Sequence, residues 1–135
     1  MRLRHEPAAV DAADTANAAD TDAPEAVRRS ASTTLASDVE IADSWLQRAR
    51  GLMFRRSFPA GSALVFRFDR AAPRALHMLF VPFAIDALWM VDGEVVATKR
   101  LRPWVGGGRA TAETIVELPA GAADEVAVGD RVVLE

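Results

Sequence analysis

The dipeptide Asp92-Gly93 constrains this chain more than any other feature. It separates two β-prone runs, Ile85 to Val91 and Glu94 to Leu101. A two-residue Asp-Gly connection between such runs specifies a β-hairpin with a type I′ turn, because both turn positions need positive φ. The implied register pairs Val91 with Glu94, Met90 with Val95 and Trp89 with Val96. Continued outward, it sets Asp86 opposite Lys99.

The other segments extend this hairpin into a sheet. Thr33 to Ile41, Ala63 to Phe68, Leu76 to Phe80, Thr114 to Leu118 and Arg131 to Leu134 all read as strands. Arg70 to Arg74 and Arg102 to Thr111 read as loops, the second made flexible by Gly106-Gly107-Gly108. Pro119 to Glu125 suits one helical turn, and Gly129-Asp130 suits a tight turn. A short helix is expected from Ser44 to about Arg50. Ser44 and Gln47 form a capping-box pattern, and Gly51 suits the left-handed C-terminal position. The fold class is therefore mostly β: a single-domain β-sandwich or half-open barrel of about six or seven strands with one short N-terminal helix.

Length and composition set the limits of this domain. The 135 residues suffice for one core, and residues 32–135 carry the apolar patterning of a mostly β globular domain. Residues 1–31 hold four large apolar side chains among Ala, Asp, Thr and Pro, with four basic and six acidic residues. They are expected as a disordered acidic tail, since too little surface can be buried there to offset the entropy of ordering. The chain has no cysteine, which excludes disulfides, thiolate chemistry and cysteine-ligated metal. It has two histidines, which argues against a histidine-rich metal site, and no cofactor is expected. No apolar h-region follows the basic start, and no transmembrane run is present, because Asp86 and Asp92 interrupt the most apolar segment. A cytoplasmic location is the expectation.

Three motifs identify a resemblance. Arg48 to Arg55, with Gly51, Leu52 and Met53 at its centre, resembles the opening signature of the domain of unknown function 192 family. His77-Met78, Val81-Pro82 and Ile85-Asp86 resemble that family's second motif. Val116 to Gly121 and Val128 to Val132, including Gly129 and Asp130, resemble its closing motif. The resemblance covers about residues 35 to 135 and implies a mostly β domain without an established activity. It also implies a signal peptide in many members, and an aromatic residue, commonly tryptophan, where this chain has His77.

Five residues are candidates for a ligand site: Arg55, His77, Asp86, Trp104 and Arg109. Asp86 is a charge within an apolar run and needs a partner. Arg55 would make the pair a pocket floor or a structural clasp, and Lys99 would make it a cross-strand pair. His77 suits an acid or base, although a lone strand histidine is commonly a satisfied, partly buried group. Trp104, with Arg102 before it and Arg109 after the glycines, suits a binding loop for carbohydrate or an anion, or a lid folded onto the core. The triple glycine is no phosphate loop, because no Lys-Ser/Thr follows. Met53 and Met78 read as core filling, and Gly51, Pro82, Gly121, Gly129 and Asp130 as structural motif positions.

Seven arginines and one acid lie between Trp45 and Arg74, but the net charge of −3 disfavours nucleic acid. The reading these features favour is a non-enzymatic ligand-binding or accessory module. Its alternatives are a hydrolase using His77 and Asp86 as acid and base, and a protein-interaction module. Oligomeric state is left open.

Overall fold

The computed structural model describes residues 1–8, 32–42 and 51–135. Among them the regular structure is eight strands in one sheet: β1 (Leu3–Glu6), β2 (Thr33–Ala36), β3 (Asp38–Ala42), β4 (Ser62–His77), β5 (Ile85–Val91), β6 (Glu94–Leu101), β7 (Gly107–Pro119) and β8 (Arg131–Leu134). Their order across the sheet is β2-β1-β8-β6-β5-β7-β4-β3. All neighbours are antiparallel except β3 and β4. The two edge strands, β2 and β3, are consecutive in the chain and joined by Ser37 alone. The sheet must therefore curl until its two edges meet at that corner, where Gly61 O accepts from the N–H groups of both Ser37 and Asp38. The expected mostly β fold with half-barrel curvature is what forms. The expected helix from Ser44 to Arg50 lies outside the described residues.

The hairpin forms with its I′ turn, Asp92 at φ 52° and Gly93 at φ 78°. Its register departs from the simple count. A bulge between Trp89 and Met90 leaves Val96 over, so that Trp89 faces Ala97, Ala87 faces Lys99 and Asp86 faces Arg100. The expected Asp86–Lys99 opposition is corrected by this one residue.

Two expected loops are strand. Arg70 to Arg74 lies within β4, whose sixteen residues run from Ser62 to His77 and pair with β7 on both sides of an irregularity at Arg67–Ala72. Pro73 is tolerated because β3 pairs only with Ser62–Phe66, so that among the described residues the second edge of β4 is open beyond that point. Within Arg102 to Thr111, the turn is confined to the first residues, and β7 begins at Gly107. Gly108 is there for proximity, not flexibility. A Cβ at that position would stand 2.8 Å from the Trp89 ring.

The start of the chain also differs from expectation. Leu3–Glu6 is a strand, paired with both β2 and β8. Leu3 and His5 point inward and are buried, while Arg4 and Glu6 are half-buried. A four-residue alternation is too short to separate from the polar tail by pattern. It gains its stability from β2, about thirty residues on, and from β8, more than a hundred residues away. The remainder of the expected disordered tail, residues 9–31, lies outside the described residues.

Apolar side chains occupy both faces of the sheet. One face, drawn inward by the curl, carries Leu3, Val65, Leu88, Met90, Val95, Val116, Leu118 and Val132. The other carries Leu64, Phe66, Ala87, Trp89 and Ile115, and is covered by Leu52, Met78 and Val81 from the flanking segments. Strand β5 is consequently buried from Ile85 to Met90 and β7 from Ile115 to Leu118. Each of these fully buried runs contains one carboxylate. They are Asp86 and Glu117.

Candidate functional site

Asp86 and Glu117 sit in adjacent paired strands but on opposite faces, since Asp86 pairs with Leu118 and Glu117 with Ala87. Their surroundings differ accordingly. Asp86 is fully provided with partners. Its Oδ1 accepts from Arg100 Nε at 2.8 Å, and its Oδ2 accepts from the backbone N–H groups of Gly121 and Ala123, both at 3.0 Å. Arg100 also pairs with Asp124, and these two carboxylates raise its already high pKa. Asp86 thus fastens the turns that follow β7, in which Gly121 adopts φ 96°. The expected Arg55–Asp86 pair is not formed. Arg55 instead donates to Glu40 at 2.8 Å near the surface.

Glu117 is the opposite case. It is 6% exposed, and its Oε2 has no hydrogen-bond partner among the described residues. Burial pushes its pKa from the ordinary 4.5 up to about 8, and the charge of Arg55 only partly offsets this. At neutral pH the group is a protonated carboxyl, able to donate and to accept.

Glu117 lines a cavity of about 280 Å³. The walls come from the strands on the outer face, through Phe66, Phe68, Ile85 and Ile115, and from two crossing segments that supply Leu52, Met53, Met78 and Val81. Gly51 belongs to this lining and holds φ 51°, with Phe66 so close that a Cβ would stand 3.2 Å from its ring. The walls are mostly apolar, with Glu117, His77 and Arg74 as the polar contributions. His77 is exposed at the end of β4, and its Nδ1 accepts from the Leu79 N–H at 3.3 Å. In the neutral ring that leaves Nε2 as the protonated nitrogen.

The five candidate residues therefore do not converge. His77 lines the cavity, whereas Arg55, Asp86, Trp104 and Arg109 do not. Trp104 is 54% exposed and is no lid on the core. Arg109 lies within β7, opposite Ala75. The acid–base pair that a hydrolase would need from His77 and Asp86 is not assembled, since Asp86 faces away from the cavity and is held by Arg100 and two amides. Met53 and Met78 fill the cavity wall, Pro82 is exposed, and Gly129 holds φ 98° beside Asp130. Asp130 is buried and accepts from His5 Nε2 at 2.7 Å and from the N–H groups of Ala8 and Ala127. Burial works to raise its pKa, but these hydrogen bonds outweigh it and hold the carboxylate below its ordinary range.

Glu117 was discoverable from the sequence by the signal that singled out Asp86. It is a lone charge within Thr114-Ile115-Val116-Glu117-Leu118. The sequence could not say which of the two carboxylates had partners.

The three stretches that suggested a family supply Gly51, Leu52, Met53, His77, Met78, Val81 and Glu117 to the cavity wall, and Asp86 and Gly121 to the clasp. A family model, DUF192, described as an uncharacterized ACR, matches residues 26–134. The chain belongs to the DUF192 family. Among similar proteins, the UPF0127 protein of Pyrococcus abyssi is 36% identical over 101 residues, covering 70% of this chain and 83% of that protein. The UPF0127 protein of Thermococcus sibiricus is 32% identical over 101 residues, covering 70% of this chain; the match spans 64% of that relative's length. Two crystal structures share the fold. One, from Sinorhizobium meliloti and named as a candidate transcription regulator, superposes with a TM-score of 0.73 at 21% identity, over 98% of this chain and 91% of that one. The other, a protein of unknown function from Novosphingobium aromaticivorans, has a TM-score of 0.72 at 16% identity, over 99% and 84%. At such identities these two speak for the DUF192 fold and not for its chemistry. Among the described residues no helix is long and apolar enough to cross a membrane.

Proposed function

We propose that this DUF192 domain is a non-enzymatic binding module whose ligand is a small, uncharged, largely apolar molecule with one hydroxyl or amide group directed at Glu117. The observation that supports it is the Oε2 of a buried carboxyl within an apolar cavity, unpartnered among the described residues. A buried polar atom without a partner costs about 1–3 kcal/mol, and a ligand that supplies the missing hydrogen bond recovers that amount on binding. The volume, about 280 Å³, lies just below the ~300–1,000 Å³ usual for ligand pockets, which limits the ligand to a compact molecule. The apolar walls supply affinity and the carboxyl supplies orientation. A protonated carboxyl matches hydroxyl and amide groups and repels nothing neutral, whereas a free carboxylate ligand would have to shed its hydration against another acid.

A thermal-shift panel of compact alcohols, phenols, amides, amines and carboxylates, run on the full chain at pH 6.5, tests this. A neutral member should raise the melting temperature of the native protein and of a Trp104→Gly variant alike, and lose its effect in Glu117→Leu. The effect should also fade as pH rises past 8, when Glu117 ionises. An amine would do the reverse, stabilising more strongly as the carboxylate forms. Preference for amines or carboxylates, or equal stabilisation of Glu117→Leu, would overturn the reading.

A further inference from the structure

The described residues contain four non-glycine positions with positive φ. Asp92 is accounted for by the hairpin turn. The other three are aromatic: Phe54 at 67°, Phe80 at 61° and Trp104 at 65°. Bulky residues rarely adopt this conformation, and it usually survives only where surrounding structure imposes it. Nor does burial of the rings compensate here, for Phe54 is 62% exposed, Phe80 41% and Trp104 54%.

These residues come from three separate segments that the backbone ties together. The Phe54 N–H donates to Phe80 O at 2.9 Å, the Trp104 N–H to Val81 O at 3.0 Å, and the Met78 N–H to Gly106 O at 3.0 Å. The rings of Phe54 and Phe80 stack at 4.9 Å. Leu79 and Val105, 53% and 72% exposed, belong to the same segments. The result is a group of protruding apolar side chains on three adjoining loop tips.

Charge is segregated around them. Residues 51–58, 78–84 and 102–111 contain four arginines and no acidic residue, in a chain whose net charge is −3. Arg55 is engaged with Glu40, while Arg56, Arg102 and Arg109 are exposed. Exposed aromatic and aliphatic tips, on segments whose charged residues are all arginine, match the boundary of an anionic bilayer. There the rings enter the headgroup–acyl region and the guanidinium groups meet lipid phosphates. Base stacking fits less well, because Phe54 and Phe80 already occupy each other's ring faces.

We propose that Phe54, Leu79, Phe80, Trp104 and Val105 form a peripheral docking surface for anionic lipid bilayers. The partner is a membrane surface, entered only to the depth of the loop tips. This inference stands independently of the ligand assigned to the cavity.

The experiment is flotation of the full chain with vesicles of phosphatidylcholine, alone or mixed with phosphatidylglycerol. The protein should float with the mixed vesicles, less with phosphatidylcholine alone, and less again in high salt, which screens the arginine contribution. Replacing Phe54, Phe80 and Trp104 together by glycine should weaken vesicle binding by at least about 10-fold, the loss expected when several apolar side chains leave a lipid phase. Its melting temperature should fall only in part, because glycine relieves the left-handed backbone while the partly covered rings lose the burial they have, and circular dichroism at the flotation temperature checks that the variant stays folded. Quenching of native tryptophan emission by brominated lipid, removed in Trp104→Gly, checks the geometry without the triple variant. Glu117→Gln should float like the native protein. Absence of flotation, flotation unaffected by the triple replacement, or concentration-dependent self-association abolished by it would each overturn the proposal. The last outcome would identify the patch as a contact between copies of the chain.

Discussion

Replacing Glu117 by glutamine isolates the energetic consequence of burying a carboxyl whose Oε2 has no partner among the described residues. The side chain keeps its size and polarity and loses its titration. In the native protein, burial raises the pKa from 4.5 to about 8. Below pH 4.5 both the folded and unfolded states hold the proton, and Glu117 imposes no penalty. As pH rises above 4.5 the unfolded chain ionises first, so it binds fewer protons than the folded protein and stability falls. The decline ends near pH 8, where the folded state ionises too. At about 1.4 kcal/mol per pH unit across that interval, the loss is about 5 kcal/mol as an upper value, since water entry and side-chain movement relieve part of it. With a urea slope of about 2 kcal/mol per molar, the midpoint should drop by on the order of 2 M between pH 4.5 and 8.5. Glu117→Gln should lack this component, so the variant equals the native protein in mild acid and exceeds it in mild alkali. Urea unfolding followed by circular dichroism at both pH values measures the difference directly. The subtraction removes contributions common to both proteins, including that of Asp130. Parallel pH dependence in the two proteins would refute the reasoning and mean that Glu117 is solvated or partnered.

Three further outcomes follow from named contacts. Asp86→Ala orphans the amides of Gly121 and Ala123 and should lower stability by about 3 kcal/mol, with Arg100→Ala costing less; thermal melts of both decide it. Deleting residues 1–8 removes Leu3 from the core and the His5–Asp130 contact. It should lower the melting temperature clearly, and His5→Ala should reproduce about 1–2 kcal/mol of that loss, whereas a dispensable start would leave both unchanged. Gly108→Ala drives a methyl group against Trp89 and should cost about 1–3 kcal/mol, with altered tryptophan emission. A neutral effect would mean that the Trp89 ring moves aside freely.

The interactions that a sequence displays are those between residues close along the chain. Asp92-Gly93 determined a hairpin because two successive positive φ values suffice to reverse the strand. Alternation in the flanking runs determined which residues share a face, and a lone carboxylate within an apolar run is the same local signal at Asp86 and at Glu117. The family motifs were legible for the same reason. Each is a short local pattern. What the tertiary structure decided depends on residues far apart. One bulge between Trp89 and Met90 moved Asp86 from Lys99 to Arg100, because strand partners follow register and a single extra residue shifts every pair beyond it. Leu3–Glu6 became a strand only because β8 and β2 offered unpaired edges on either side. The closing of residues 51–53 and 76–81 over the outer face made a cavity and left Glu117 Oε2 in it without a hydrogen-bond partner among the described residues. Which of two buried carboxylates is satisfied is a question about what packs against each face of the sheet, and in this protein that is settled by chain segments on average dozens of residues away from either one.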